Sequence, residues 1–334
     1  MRPLDAPISV IVPVHNRADL LAQCLAALAR WTTPVEILVV DDGSTDPGVE
    51  RLRERRLAHH WLRNDEACGF SAAVNRGLAR ASGDPLLLLN SDAEVTEGGD
   101  HAIRDAFASP PDRFGAVGAV AARLVYPNGR PQWSGGAFPS LPWLFALASG
   151  LGRGARFRVR RAPPSGFAGG IVDWAPAAAL AIRRETFAAV GPFDESYRHY
   201  AQDLDYCQRL AATGRSVQVL ADWVVTHHLG GSVAAGAEPA APGSEPASGR
   251  PDDATRFDGQ RLDLLWLDLL HWAHKHRSPA WARRARSRLL LGGRLRLLRL
   301  AIGRPGRNST EARAVGAALA AITASAPIPA PRGS

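Results

Sequence analysis

The stretch ISVIVPVHNRADLLAQCLAALARWTTPVEILVVDD (residues 8–42) decides the fold. ISVIVPV (8–14) is a short β-branched run of the kind that forms a strand buried on both faces. After it, Leu20, Leu21, Cys24, Leu25 and Leu28 recur at helical spacing, with Asp19 near the start. VEILVV (35–40) is a second buried strand, and it runs into DDGSTD. A polar helix and a weak strand near His59–Leu62 follow. GFSAAVNRGLARASGD (69–84) predicts a helix closed by Gly83, and LLLL (86–89) a third strong strand ending in NSD. Strand and helix thus alternate for about ninety residues, the pattern of a doubly wound, mostly parallel α/β sheet flanked by helices. Ligands of such sheets bind beyond the carboxyl ends of the strands. His15-Asn16, Asp41-Asp42 and Asn90-Ser91-Asp92 all fall there.

Farther along, residues 115–168 are rich in Gly, Pro and aromatics and give no clear periodicity. Order returns with IVDWAPAAALAIRR from Ile171, a GPFDE turn, and a helix through QDLDYCQRLAATG. ADWVVT reads as a strand leading to His227-His228. The predicted organisation is a catalytic domain over 1–232, a low-complexity mobile loop over 233–257, an amphipathic and Arg-rich helical appendage over 258–308, and a helical then frayed tail over 309–334.

A chain of 334 residues with 46% hydrophobic content can bury a sizeable core. The formal charge is +8, and Lys275 is the only lysine. This bias toward Arg reflects genome composition and carries no function by itself. A basic balance fits anionic partners such as nucleoside diphosphates or anionic lipid. Cys24, Cys68 and Cys207 are far apart, without metal-ligand spacing, which points to a reducing, cytoplasmic compartment. The N-terminus does not read as a signal peptide, and no apolar run reaches the roughly 18 residues of a membrane span.

Two acidic clusters carry the chemistry. Asp41-Asp42-Gly43-Ser44 is either a capped turn or a pair in which one carboxylate holds the loop and the other accepts from the N–H of a uracil or thymine base. At Asn90-Ser91-Asp92, a divalent cation between Asp92 and a diphosphate would neutralise a leaving group. Asp203 and Asp205 open a helix, whose dipole favours the carboxylate form. Asp203 shares a face with Cys207 and Leu210, and Asp205 is offset, placed to hold the adjoining loop. Trp174 reads equally as a core aromatic or as lining for a sugar or acceptor pocket. Between Arg277 and Arg307 there are ten Arg and no acidic residue, interleaved with Leu. That helix either packs its Leu face or lies on an anionic membrane at its cytoplasmic side. The Arg run lacks the aromatic pattern of a nucleic-acid binder.

Together, ISVIVPVHNR, VVDDGSTD, GFSAAVNRGLARASGD with LLLLNSD, and VGPFDESYRHYAQDLDYCQRLAATG with THHLGGS resemble glycosyltransferase family 2 of the GT-A fold. The resemblance is closest to its rhamnosyltransferase-like branch and covers roughly 8–232. It implies an inverting, non-processive transfer of one sugar, rhamnose or another hexose, from a dTDP- or UDP-linked donor. The acceptor would be a glycan or lipid-linked saccharide in cell-surface polysaccharide or glycolipid synthesis. It implies Pro13, His15, Asn16, Asp41, Asp42, Asn75, Arg76, Asn90 and Ser91 at the donor, and Asp92 with His227 (or His228) on Mg²⁺ or Mn²⁺. Asp203 would be the general base, with Trp174 and Gln202 toward the acceptor. Gln202 stands where the family usually has Glu. Losing that like charge predicts a less elevated pKa for Asp203. Two rivals stay open: a nucleotidyltransferase on a related sheet, and a non-catalytic sugar- or membrane-binding relative.

Overall fold

The computed structural model describes residues 6–109, 115–151, 169–228, 261–302 and 309–325. In chain order the elements are β1 (Ile8–Val14), α1 (Ala18–Leu28), β2 (Val35–Asp42), α2 (Pro47–Glu54), β3 (His60–Asn64), α3 (Phe70–Arg80) and β4 (Leu86–Leu89). Next come β5 (Ala93–Glu97), α4 (Asp100–Ala108), β6 (Val117–Val125), α5 (Leu141–Ser149), β7 (Gly170–Val172), β8 (Ala179–Ile182), α6 (Arg184–Val190), α7 (Gln202–Ala212) and β9 (Ser216–His227). The last three are α8 (Leu262–His276), α9 (Pro279–Ile302) and α10 (Ser309–Ala324). They fall into two compact units. The first holds the described residues 6–137, 169–195 and 202–228; the second holds 138–151, 196–201, 261–302 and 309–325. The loop expected at 233–257 lies outside the described residues.

The first unit is built on one sheet in the order β3-β2-β1-β4-β8-β6-β9-β5, with β7 on β9. The β3-β2-β1-β4 half is parallel throughout. Beyond β4 the directions mix, because β8 runs antiparallel to both β4 and β6. Parallel pairing returns between β6 and β9, so the sheet is mostly parallel, as expected, with β8, β5 and β7 set against it. β1 is central, and Ile8, Val10, Val12 and Val14 of one face and Ile11 of the other are all buried. Gly77 lets α3 lie close on that second face, since a Cβ there would come within 2.5 Å of Ile11 Cγ2.

Gly83 does not close α3, which ends at Arg80 with Ala81 in extended conformation. A Cβ at Gly83 would meet the Pro7 carbonyl oxygen at 2.0 Å, so close approach to the start of β1 requires the glycine. At this amino edge Glu36 is buried and gathers Ser9 Oγ (2.5 Å), Ser82 N (2.8 Å) and Ser82 Oγ (3.0 Å). Burial alone would raise its pKa. The donors from Ser9, Ser82 and Gly83 outweigh that and hold it at about 2.

In the second unit, α9 packs against α5, α8 and α10. The contact is made at Gly292-Gly293, where a Cβ would come within 2.8 Å of Ala148 Cβ and 2.7 Å of the Trp266 ring. Trp266 and Trp272 of α8 are fully buried. Asp268, also buried, accepts from the backbone N–H groups of His199 (2.9 Å) and Tyr200 (2.8 Å). Arg296 is buried against Glu311, which neutralises it. Among the described residues no helix is long and apolar enough to cross a membrane.

A folded-state pKa near 2 means that ionised Glu36 stabilises the fold above the unfolded carboxyl value, and that this is lost as pH falls toward 2. Glu36→Gln is expected to cost about 1–3 kcal/mol in urea unfolding at pH 7, the cost of leaving buried donors unpaired. The gap to wild type should narrow between about pH 4 and pH 2. A pH-independent gap would assign the effect to packing.

Candidate active site

Parallel pairing of β1 with β2 and β4 sets their carboxyl ends side by side. Asn16 and Arg17 there are left-handed, with φ of 61° and 59°, which turns the chain out of β1. Asn16 Oδ1 accepts from the N–H groups of Thr45 (2.8 Å) and Asp46 (2.9 Å), and its own N–H donates to Ser44 Oγ (2.7 Å). Asp46 answers by accepting from Ala18 N (3.0 Å) and Gly48 N (2.7 Å), capping α2. His15 Nδ1 donates to the Asp42 carbonyl at 2.7 Å. Pro13 lies one residue inside the end of β1, opposite Val40.

The two aspartates at the end of β2 divide their work. Asp41 accepts from Ser44 N (2.9 Å) and from Arg63, whose Nη2 also donates to the Ser44 carbonyl. Asp42 accepts from Asn64 Nδ2 (2.7 Å), Cys68 N (2.9 Å) and Gly69 N (2.8 Å). It therefore fixes the loop into α3, at whose start Gly69 has a φ of 92°. Arg76 donates to Asn64 Oδ1 and to the Arg63 carbonyl, tightening the same loop. Asn75 faces elsewhere: its amide bonds the Phe193 backbone on both sides (2.8 and 2.9 Å) and Glu195 (2.8 Å). Asn75 thus latches α3 to the 191–195 turn, and Arg209, held by Asp205 at 2.9 Å, latches α7 to it.

After β4, Ser91 and Asp92 are buried. β5 pairs with β9 so that Ala93 stands opposite His227. This register brings His227 Nε2 to 3.3 Å from Asp92 Oδ1 and 3.4 Å from Asn90 Nδ2. The imidazole is oriented from behind. Its Nδ1 faces Gln132 Oε1 at 3.1 Å, and Gln132 Nε2 donates to the His227 carbonyl at 2.5 Å. Nδ1 therefore carries a proton, and Nε2 presents its lone pair toward Asp92. Asp92 Oδ1 and Asn90 Oδ1 are both buried without a hydrogen-bond partner. Two acceptors 3.3 Å apart repel unless a cation, either a proton or a metal ion, lies between them. His228 contributes its backbone N–H to the Asp92 carbonyl at 2.9 Å. Among the described residues no three His, Cys, Asp or Glu side chains gather, so a metal held here would take its other ligands from substrate and water.

Asp203 lies in the first turn of α7 and accepts from the N–H groups of Leu204 (2.8 Å) and Ala177. The next carbonyl, Ala178 O, accepts from Asn90 N at 2.9 Å. Asp203 and the Asn90–Asp92 turn thus grip the same dipeptide. Burial pushes the Asp203 pKa up to about 6, against the pull of its backbone donors. The missing charge at Gln202 therefore does not leave Asp203 at an ordinary value. Gln202 Oε1 is itself buried and unpartnered. Trp174 is only 8% exposed and donates Nε1 to the Ala137 carbonyl at 3.2 Å, the arrangement of a core aromatic. Sequence reading missed Gln132, Asn64 and Ala177. Gln132 sits in the stretch without periodicity, and Ala177 acts through its backbone.

The sequence profile of Glycosyl transferase family 2 matches residues 9–157, across the Asn16, Asp41-Asp42 and Asn90–Asp92 turns. Residues 9–157 are a glycosyl transferase family 2 region. The chain is 30% identical over 243 residues to the O-antigen biosynthesis protein RfbC of Myxococcus xanthus, a match covering 70% of this chain and 18% of that protein. It is 29% identical over 246 residues to the N-acetylglucosaminyl-diphospho-decaprenol L-rhamnosyltransferase of Mycobacterium tuberculosis (strain ATCC 25618 / H37Rv), covering 66% of this chain and 76% of the relative. Its fold is similar to mannosyltransferase PcManGT from Pyrobaculum calidifontis, with TM-score 0.52 and 18% identity over 95% of this chain and 86% of the other. GalNAc-T7 gives TM-score 0.50 and 16% identity, over 66% of this chain and 44% of that one. The architecture is GT-A.

Gln132→Leu removes the acceptor that orients His227. If the pair holds a metal, Mn²⁺ affinity measured by electron paramagnetic resonance with UDP or dTDP present should fall about 10–100-fold. Unchanged affinity would remove His227 from the metal site.

Proposed function

We propose that the chain transfers a single sugar, with inversion, from a dTDP- or UDP-linked donor to a hydroxyl of a glycan or lipid-linked saccharide in cell-surface polysaccharide or glycolipid synthesis. One observation carries the reading. A carboxylate poised near pH 6, Asp203, grips the same dipeptide as the strand-end turn bearing Asp92. A base must be deprotonated yet retain proton affinity at working pH, and burial gives Asp203 that balance.

In this reading the acceptor oxygen bonds to the anomeric carbon as the bond to the diphosphate oxygen breaks. The hydroxyl proton passes to Asp203. Asp92 and His227, with Asn90 alongside, would hold Mg²⁺ or Mn²⁺, whose charge offsets that of the departing diphosphate. His15, Asn16, Asp41 and Asp42, with the loop that Arg63, Asn64 and Arg76 tighten, form the cradle for the nucleotide. Their polar atoms are already fixed, so little ordering cost remains on binding. The activity for which the M. tuberculosis relative is named supports rhamnose as donor sugar and a polyprenyl diphosphate-linked acceptor.

Such an acceptor lies at a membrane, and α9 supports docking there. Its buried arc is Ala282, Ala285, Leu289, Gly292, Gly293 and Arg296. The opposite arc carries exposed Leu291, Leu298 and Ile302. At 3.6 residues per turn, Arg288 flanks that apolar line on one side and Arg283 and Arg294 on the other, with Arg284 on the line itself. Apolar residues rimmed by arginine suit an anionic interface, where each Arg contributes about 1 kcal/mol.

With a metal present, the chain should release nucleoside diphosphate from its donor. Pyrophosphate release from a nucleoside triphosphate would instead establish a nucleotidyltransferase, and no turnover a binding relative. Asp203→Asn should lower transfer by about 10²–10⁴-fold while leaving nucleotide affinity intact. For wild type, kcat/KM should rise with pH through about 6, since only the ionised base accepts a proton. Because the raised pKa makes ionised Asp203 a destabilising charge at pH 8, Asp203→Asn should melt no lower than wild type there. Changing Arg284, Arg288 and Arg294 together to Gln should weaken binding to phosphatidylglycerol vesicles by about 100-fold, following the per-residue value. Equal binding to phosphatidylcholine vesicles would remove the membrane from the proposal.

A further inference from the structure

Trp133 is 44% exposed, whereas Trp174 and Trp223 of the same unit are buried. A lone exposed apolar residue is ordinary. This one is held rigid. Its Nε1 donates to the Gly135 carbonyl at 2.8 Å, and its ring meets Trp174 edge-on, with centroids 5.0 Å apart and planes at 80°. The ring lies over Gly136, where a Cβ would come within 3.2 Å of Nε1. Trp174 is fixed in turn by its own Nε1 bond to Ala137 and by Gly136 N donating to its carbonyl at 2.9 Å.

The placement is as informative as the rigidity. Gln132 turns toward His227, while Trp133 turns toward Trp174. Three residues past Trp174, the Ala177 N–H meets Asp203. Consecutive residues thus lead to the two ends of the proposed site: Gln132 contacts the His227 that faces Asp92, and Trp133 contacts the Trp174 stretch that runs on to Ala177, the partner of Asp203.

We infer that Trp133 is the platform on which the acceptor's pyranose ring stacks as its hydroxyl reaches Asp203. An indole presents a flat, electron-rich face, and a pyranose with equatorial substituents presents axial C–H groups to it. Because the ring is already locked, stacking carries little ordering cost. The inference rests on the transferase reading and assigns the acceptor side of that site.

Methyl β-N-acetylglucosaminide, whose ring substituents are equatorial, serves as the probe. Saturation-transfer difference NMR on the full chain should show its strongest signals at the axial protons of one face. In Trp133→Ala those signals should be lost, and Trp133→Phe should keep them. The affinity for UDP or dTDP and the thermal melt should be unchanged in both variants. With a transferable acceptor, Trp133→Ala should raise its KM by about 3–10-fold, the worth of one aromatic contact, with donor hydrolysis unaltered. The same saturation pattern in Trp133→Ala, or an equal loss of donor hydrolysis, would overturn the assignment. Absence of donor turnover in wild type would instead sink the transferase reading, whatever the NMR result.

Discussion

Asp92 Oδ1 is held inside the protein 3.3 Å from His227 Nε2 and has no hydrogen-bond partner of its own, while Nε2 has only the Asn90 amide at 3.4 Å. A buried carboxylate left in this way is costly, and a fold keeps it only if something positive arrives. The geometry is over-determined. The β5–β9 register sets Ala93 opposite His227, His228 bonds the Asp92 backbone, and Gln132 grips both ends of His227. The rest of the site is arranged around this fixed charge.

The side of the site proposed to hold the nucleotide follows the opposite principle. There almost every polar atom is satisfied within the protein. Asn16, Asp41, Asp42 and Asp46 each accept from several donors across the ends of β1 and β2 and the starts of α2 and α3. A saturated network is rigid and specific. The site thus combines a stiff polar network with an unsatisfied carboxylate oxygen, a combination that suits the proposed transfer, in which a diphosphate departs. Asp203 completes it with a carboxyl whose burial, rather than a neighbouring charge, raises its pKa.

The second unit shows how one helix can serve two surroundings. Gly292-Gly293 clears space for three neighbouring helices on one side of α9. The buried Arg296 there is neutralised by Glu311, while the arginines of the outer arc remain exposed. The alternation of Leu and Arg along 288–300 therefore encodes two faces that carry the same residue types. For that reason periodicity alone did not separate a packed helix from an interfacial one.

The parallel half of the sheet was legible in the residues, because β-branched runs and leucine spacing in 8–42 report burial directly. So were the polar turns after β1, β2 and β4, since strand ends are where a doubly wound sheet places its chemistry. Asp42 and Asn75 read alike as donor-site residues, yet one braces the loop into α3 and the other the 191–195 turn. Only the packing of α3 separates them. Gln132, Ala177 and Trp133 carried no pattern at all. Their roles arise from non-local strand register and backbone donors, which no local spacing encodes. The sequence by itself determined at which edge of the sheet the polar turns after β1, β2 and β4 gather. The tertiary structure decided which side chains meet there, because antiparallel pairing joins residues more than a hundred positions apart and fixes their spacing to within a hydrogen bond.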